Sequence, residues 1–198
     1  MRLVLILLVV VLGAAAGISI TWLAVGPAAG VLTQTFHGWE FAPRVGSPEI
    51  DPYTRARLFS EGELPLAAGE GYTLRARADA DGAPLDRRCR YQLSSPFPAA
   101  RYWTLTLTDS TGRNLPNLAE RAGFTSADII RLQGNAFTIE IGPDPLPGNW
   151  LPTGRKGASG SVDTFALVLR FYETPLSATA TRLDPRQMPV LRKLECPA

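Results

Sequence analysis

Apolar and polar residues alternate in several segments between residues 71 and 142, and a period of two is typical of half-buried β-strands. The segment DTFALVLRFYE is apolar on both faces, which predicts a central strand. The side chains expected to face the core in the alternating segments are Tyr72, Leu74, Ala76 and Ala78; Cys89, Tyr91 and Leu93; Trp103, Leu105 and Leu107; and Phe137, Ile139 and Ile141.

Turn residues separate these strands, and Asp81-Gly82 within ADGAPLD gives a hairpin signal. The segment DPYTRARLFSEGEL, residues 51–64, predicts a short helix with Asp51 as N-cap, Gly62 as the stop, and Leu58 and Phe59 on its apolar side. Residues 115–135 fit either a short helix capped by Ser126 or an irregular strand. About six strands with one firm helix predict an all-β sandwich or barrel over residues 51–198.

The N-terminal segment, residues 3–25, contains no charged residue and is long enough to cross a membrane. A membrane anchor is the favoured interpretation, and a cleaved signal peptide with a site near Ala14-Ala15-Ala16 is the alternative. Arg2 precedes the segment and no basic residue follows it until Arg44, which predicts a cytoplasmic N-terminus. Residues 26–50 are expected to form a stalk that packs onto the domain, with Trp39 as a candidate interfacial anchor.

Charge and cysteine content limit the classes of function that we expect for this chain. The formal net charge is only +2, and the single basic cluster, residues 87–90, alternates as a solvated strand face would, so nucleic acid is not an expected partner. Arginine outnumbers lysine strongly, which suggests a bacterial chain and places the domain in the periplasm. Two cysteines, Cys89 and Cys196, predict one disulfide in an exported chain, with two separate thiols as the alternative. One histidine and no C-x-x-C pair predict no metal site, and no cofactor motif is present.

An ordered set of motifs runs through the chain: DPYTRA, YTLRARADADGAPLD, CRYQL, RYWTLTLTD, GNWLPTG and FALVLRFY. From about residue 38 to the end, the chain resembles the bacterial domain-of-unknown-function family 1214. In larger proteins that domain follows one of family 1254, and this chain resembles a short form in which one membrane segment precedes a single domain. The resemblance implies a jelly-roll-like antiparallel β-sandwich and no established chemistry.

Candidate chemistry is sparse. A serine–histidine–aspartate triad has no support, because the lone His37 lies in the predicted stalk. Local hydrogen bonds favour acids at turns and strand ends, which accounts for Asp79, Asp81, Asp86 and Asp109. Glu140 alternates outward between Ile139 and Ile141, as a polar residue of a half-buried strand does.

The loop GPDPLPGNWLPTG, residues 142–154, is predicted to connect two strands, with Trp150 as a peg over the core or as part of a ligand site. The candidate ligand-binding residues are Trp150, Asn149, Glu140 and Asp109, and the candidate ligands are a glycan or an apolar molecule. These observations favour a membrane-anchored binding or structural module without catalysis. An envelope hydrolase with an acid and aromatic site is the alternative, and its acids would have to converge with Trp150 and an arginine. The sequence leaves the oligomeric state open.

Overall fold

The computed structural model describes residues 2–25, 33–60, 62–117, 119–154, 163–174 and 183–196. Within these residues the chain forms two α-helices, ten strands and short 3-10 turns. The elements are α1 (Arg2–Val25), β1 (Gln34–Phe36), β2 (Trp39–Phe41), α2 (Pro52–Ser60), β3 (Gly71–Ala76), β4 (Arg90–Ser94), β5 (Tyr102–Asp109), β6 (Gly123–Thr125), β7 (Thr138–Gly142), β8 (Trp150–Pro152), β9 (Phe165–Tyr172) and β10 (Val190–Glu195).

The strands form two sheets that pack face to face. The larger sheet has the order β1-β2-β3-β9-β5-β6, and the smaller has the order β10-β4-β7-β8. Inward side chains of both sheets join one hydrophobic core, and ring contacts such as Tyr91 against Phe165, at 5.7 Å between centroids, cross the gap between them. The predicted all-β class and two-sheet packing are therefore confirmed. The jelly-roll topology stays a prediction of the resemblance.

The period-two pattern assigned the core faces correctly. Leu74, Tyr91, Leu105 and Ile139 are each fully buried, as the alternation predicted for their strands. β9 lies between β3 and β5 in the larger sheet, so the most apolar segment is indeed central. Burial of these alternating side chains is the main force that holds the two sheets together.

The β-structure begins inside the range predicted as a stalk. Residues 34–41 form the β1–β2 hairpin, which pairs with β3 in the larger sheet. Its two-residue turn places His37 and Gly38 at positive φ, and a Cβ on Gly38 would lie 2.4 Å from the carbonyl oxygen of Ala78. Trp39 is fully buried, so its predicted role as an interfacial anchor is wrong. Of the remaining stalk, residues 26–32 lie outside the described part of the chain.

Two strand connections also differ from expectation. The chain turns at Asp81-Gly82, where Ala78 bridges to Pro84, but β3 and β4 then enter different sheets instead of forming a hairpin. A turn signal fixes local geometry and does not specify which strand each arm pairs with. β7 and β8 pair in parallel, so the sandwich is not antiparallel throughout. The proline-rich residues 143–149 connect these two parallel strands.

Helix α2 begins and ends close to the prediction. The Asp51 carboxylate accepts the backbone N–H of Thr54 at 2.9 Å, which caps the helix. Gly62 follows the helix with φ of 65°, as expected for a C-terminal stop. Phe59, however, is 89% exposed, so it does not form an apolar face with Leu58. In residues 115–135 the described chain forms the short strand β6 followed by turns, so the helix alternative is wrong.

The C-terminal segment closes the smaller sheet. β10 pairs with β4 at the sheet edge, and Cys196 forms a disulfide with Cys89, at 4.1 Å between Cα atoms, as predicted. Cys89 is fully buried beside core strand β4, so the bond fastens the end of the chain to the core.

Helix α1 is apolar along its whole length, and its side chains from Arg2 to Leu23 are exposed. A helix of this length and composition suits either a membrane span or a signal sequence.

Candidate functional site

Three of the four predicted ligand residues meet where β7 pairs with β8. Glu140 is in register with Trp150 across the parallel pair, and the Glu140 N–H donates to the carbonyl of Asn149 at 2.8 Å. The fourth residue, Asp109, ends β5 in the other sheet. The structure therefore brings together Glu140, Asn149 and Trp150 and does not bring Asp109 to them through strand pairing or a hydrogen bond.

Asn149 is a structural residue at this junction. Its side chain is buried, with 7% exposure. Its Oδ1 accepts the N–H of Ile130 at 2.8 Å, and its Nδ2 donates to the carbonyls of Ile130 and Thr138, each at 2.9 Å. These three side-chain hydrogen bonds all go to backbone groups, so the amide ties the segment around residue 130 to β7 and has little capacity left for a ligand.

We expect Asn149→Ala to lower the free energy of unfolding by about 2–3 kcal/mol, because three part-buried hydrogen bonds to the backbone are lost. Chemical denaturation of the full chain in uncharged detergent measures this change. Asn114→Ala is the matched control, since Asn114 is exposed, and it should change stability by less than about 0.5 kcal/mol. Equal effects of the two substitutions would contradict the structural role of Asn149.

Trp150 is half-buried and is not part of the hydrophobic core, so its predicted role as a peg over the core is not confirmed. Its indole N–H donates to the carbonyl of Gly142 at 3.0 Å, across the loop that contains both residues. Its own carbonyl accepts from the Arg121 guanidinium at 2.8 Å. These contacts close the loop over the edge of the smaller sheet and occupy the only polar atom of the indole.

Glu140 is engaged on the outer face of the smaller sheet. Its Oε1 accepts from the Gln92 amide at 2.7 Å, and its Oε2 lies 3.8 Å from the Arg90 guanidinium. With 18% side-chain exposure, the carboxylate is held by its neighbours on adjacent strands. The same arginine pairs with Glu195 of β10 at 2.6 Å, so these ion pairs connect three strands of the sheet.

Asp109 organises a turn of the larger sheet. Its carboxylate accepts the hydroxyl of Thr111 at 2.6 Å and the backbone N–H groups of Thr111 and Arg113. The Thr111 hydroxyl is the main cause that holds the pKa of Asp109 at about 2, so this group is ionised at neutral pH. A general acid needs a raised pKa, and Asp109 has the opposite.

The other candidate acids are also committed to local structure. Asp79 is buried and accepts the N–H groups of Asp81 and Ala83 within its turn. Asp86 accepts two guanidinium contacts from Arg88, which lowers the pKa of that carboxyl. A carboxylate oxygen of Asp86 and the Sγ atoms of Cys89 and Cys196 lie close together, and each is an atom type that can bind a metal ion. Both sulfurs are joined in the disulfide, so they cannot act as thiolate ligands there.

The cluster RRCR is not a uniformly solvated face. Arg87 has 9% exposure, and it donates to the carbonyl of Thr153 and to the Asp163 carboxylate, each at 2.7 Å. Because Arg87 is buried and its guanidinium is paired, this basic run fastens β8 to the segment before β4.

A concave surface lies elsewhere, on the outer face of the larger sheet. This outer groove has a volume of about 770 Å³ and is lined by the central strands β3, β9 and β5 and by the loops at residues 62–66 and 110–114. The side chains most relevant to its chemistry are Glu63, Arg75, Thr106, Thr108, Arg113 and Arg170. None of the four predicted ligand residues lines it.

The sequence contained a signal for this groove. Arg170 is the only charged residue in FALVLRFY, the most apolar strand of the chain. The side chains that alternate with the predicted core face point outward: Thr73 and Arg75 on β3, and Thr104, Thr106 and Thr108 on β5. The sequence could not show that β9 lies between these two strands. This order places Arg170 next to threonines on both neighbouring strands.

The fold and these surfaces define a two-sheet β-domain with an apolar N-terminal helix and a polar groove on its larger sheet. The chain belongs to the family described as a protein of unknown function (DUF1214), whose model matches residues 70–176. The matched region contains β3 to β9, and strands β1, β2 and β10 outside it complete the two sheets.

One solved structure supports the fold with a TM-score above 0.5. The VPA0106 protein from Vibrio parahaemolyticus is similar, with a TM-score of 0.58 and 16% identity over 78% of this chain and 38% of that one. An uncharacterized protein from Burkholderia cenocepacia has a TM-score of 0.41 and 18% identity over 78% of this chain and 46% of that one. The chain thus spans less than half of either solved protein. No curated protein matches the chain.

Proposed function

We propose that this protein is a single-pass membrane protein whose β-sandwich lies in the bacterial periplasm and serves as a binding module without catalysis. The outer groove carries this proposal, because it offers a polar concave surface on the rigid central strands. Its volume of about 770 Å³ is within the range of small-molecule sites, and its polar lining suits a polar ligand. A structural role in the envelope follows from the same anchored arrangement.

The location rests on two further observations. Helix α1 begins at Arg2 and exposes an apolar surface over the residues that follow, so a span with the N-terminus in the cytoplasm satisfies both its hydrophobicity and its charge. The disulfide Cys89–Cys196 then lies on the outer side, where bacterial disulfides form and persist.

The hydrolase alternative gains no support from this arrangement. Two carboxylates that flank a scissile glycosidic bond must lie within roughly 5–10 Å of each other. Glu140 and Asp109 are on different sheets, and each is held by its own hydrogen bonds. A module that binds and does not cleave is the function that these residues support best.

Thiol labelling in intact cells tests the location. Free thiols are blocked at lysis, and the chain is treated with a maleimide-linked polymer with and without prior reduction under denaturing conditions. We expect two mass increments only after reduction, from Cys89 and Cys196, in the membrane fraction and with the N-terminal segment retained. Blocking of both cysteines before reduction would place the domain in a reducing compartment and contradict the proposal. Recovery of a shortened chain in the soluble fraction would show a cleaved signal peptide.

A further inference from the structure

We propose that the outer groove binds an acidic glycan and that the guanidinium of Arg170 receives the carboxylate of the sugar. This inference rests on the proposed binding function and adds the ligand class and the residue that recognises it. It assigns the site to the larger sheet and not to the residues around Trp150.

Among the described residues, Arg170 has no hydrogen-bond or ion-pair partner, unlike the other arginines of the groove. Its Nε is buried and makes no hydrogen bond, and no ion pair to it occurs among the described residues. The other arginines of the groove each meet a carboxylate: Arg75 with Glu63 at 2.5 Å, Arg77 with Glu40 at 2.9 Å and Arg113 with Asp109 at 3.4 Å. Arg170 as a whole is only half-buried and lines the groove, so its unpaired guanidinium is available for a charge-assisted hydrogen bond to a ligand carboxylate.

The register of the sheet places hydroxyl groups on both sides of this cation. Arg170 is paired with Thr73 on β3 and with Thr104 on β5. Thr106 and Thr108 continue the row of threonines along β5 and line the groove. A hydroxyl both donates and accepts, which suits the hydroxyl groups of a sugar better than a uniformly cationic surface would.

Aromatic rings lie on the next row of the same face. Tyr102 and Tyr172 are in register on β5 and β9, and their ring centroids are 6.0 Å apart. Tyr102 is 38% exposed, and Gly71, paired with Tyr172 from the other side, carries no side chain. Rings with an apolar face and a polar hydroxyl can pack on the C–H surface of a sugar next to its charged group.

The groove already accommodates one carboxylate of the chain itself. Glu63 meets Arg75 with only 17% of its side chain exposed. Arg75 and Arg170 are diagonal neighbours on adjacent strands, with an expected separation of about 7–8 Å. Glu63 is therefore placed to repel an incoming carboxylate. The variant E63Q removes this negative charge and should bind the ligand more tightly.

Calorimetric titration of the full chain in uncharged detergent, at constant ionic strength, tests this proposal with trigalacturonate as the acidic probe. Its fully methyl-esterified form is the neutral control with the same sugar backbone, and inorganic phosphate tests charge alone. The variants are R170Q, E63Q and the matched control R192Q, which removes the same charge from an exposed position on the smaller sheet.

We expect trigalacturonate to bind the wild-type chain at least tenfold more tightly than the ester or phosphate does. R170Q should weaken its binding by about tenfold or more, which is the effect of losing a charged hydrogen-bond donor. R192Q should change the affinity by less than about twofold, and E63Q should increase it severalfold. R170Q should keep or raise the melting temperature, since Arg170 satisfies no group of the protein, and this separates a lost site from a lost fold.

Other outcomes would overturn the proposal in distinguishable ways. Equal affinity for the acid and its ester, or equal effects of R170Q and R192Q, would exclude Arg170 as the carboxylate site and leave the binding module intact. No binding of either sugar would exclude this ligand class. Cleavage of trigalacturonate during the titration, detected by chromatography, would refute the non-catalytic function while leaving the site in place.

Discussion

Removal of the Cys89–Cys196 disulfide by C89A/C196A is expected to lower the free energy of unfolding by about 4 kcal/mol. The two cysteines are 107 residues apart in the sequence, and a cross-link that closes a loop of this size removes much of the entropy of the unfolded chain. Alanine avoids placing a new hydroxyl at the fully buried position of Cys89. The loss should appear as a lower denaturant midpoint for the full chain in detergent.

Reduction provides the control for this prediction. A reductant should destabilise the wild-type chain by a similar amount and leave C89A/C196A unchanged, because only the wild type has a bond to reduce. A double variant that unfolds at the wild-type denaturant concentration would show that β10 is held by strand pairing and core contacts alone.

Replacement of Trp39 by alanine is expected to cost about 3–5 kcal/mol of stability, the range for a large aromatic residue in a core. Trp39 has no exposed surface, and its indole N–H donates to the carbonyl of Pro189 at 2.8 Å. It thereby joins the first hairpin of the larger sheet to the segment that leads into β10. Trp39→Phe keeps most of the ring and should lose about 1–2 kcal/mol for the hydrogen bond and the smaller volume.

Far-ultraviolet circular dichroism or calorimetry should be used here, because the substitution removes an aromatic chromophore. Phe59→Ala is the matched control, since Phe59 is an aromatic residue with 89% exposure, and it should have an effect below about 0.5 kcal/mol. A small effect of Trp39→Ala would contradict the inclusion of residues 34–41 in the folded domain and restore their interpretation as a stalk.

The parts of the fold that the sequence predicted well are those governed by local alternation. Leu74, Leu93 and Leu107 are buried because every second side chain of a strand faces the same side. Cys89 shares its face with Tyr91, and this inward position made the disulfide with Cys196 predictable. The N-cap Asp51 acts within one turn of helix, so it could also be identified from its neighbours.

The predictions that were wrong concern contacts between segments that are distant in sequence. The β1–β2 hairpin has three-residue strands and a His37-Gly38 turn in place of the stronger Asn-Gly or Asp-Gly signal. Its assignment depends on pairing with β3, which the sequence of the hairpin does not show. The Asp81-Gly82 turn was recognised, but its two arms enter different sheets. β3 pairs with β2 and β9, and β4 belongs to the smaller sheet.

The candidate site shows the same difference between residues that are close in sequence and residues that are distant. Glu140, Asn149 and Trp150 were predicted together because they are close in sequence, and the structure keeps them together as one structural junction. Asp109 was grouped with them by residue type alone, and its sheet separates it from them. Arg170 was missed because its importance depends on the threonines of two strands that are far away along the chain.

Hydrogen exchange with mass spectrometry on the full chain, with and without trigalacturonate, tests the central claim most directly. If the outer groove is the binding surface, the ligand should slow exchange in the two loops that border it, residues 62–66 and 110–114, and should leave residues 143–149 unchanged. Protection of residues 143–149 without change in those two loops would place the ligand at Trp150 and contradict the assignment of the groove.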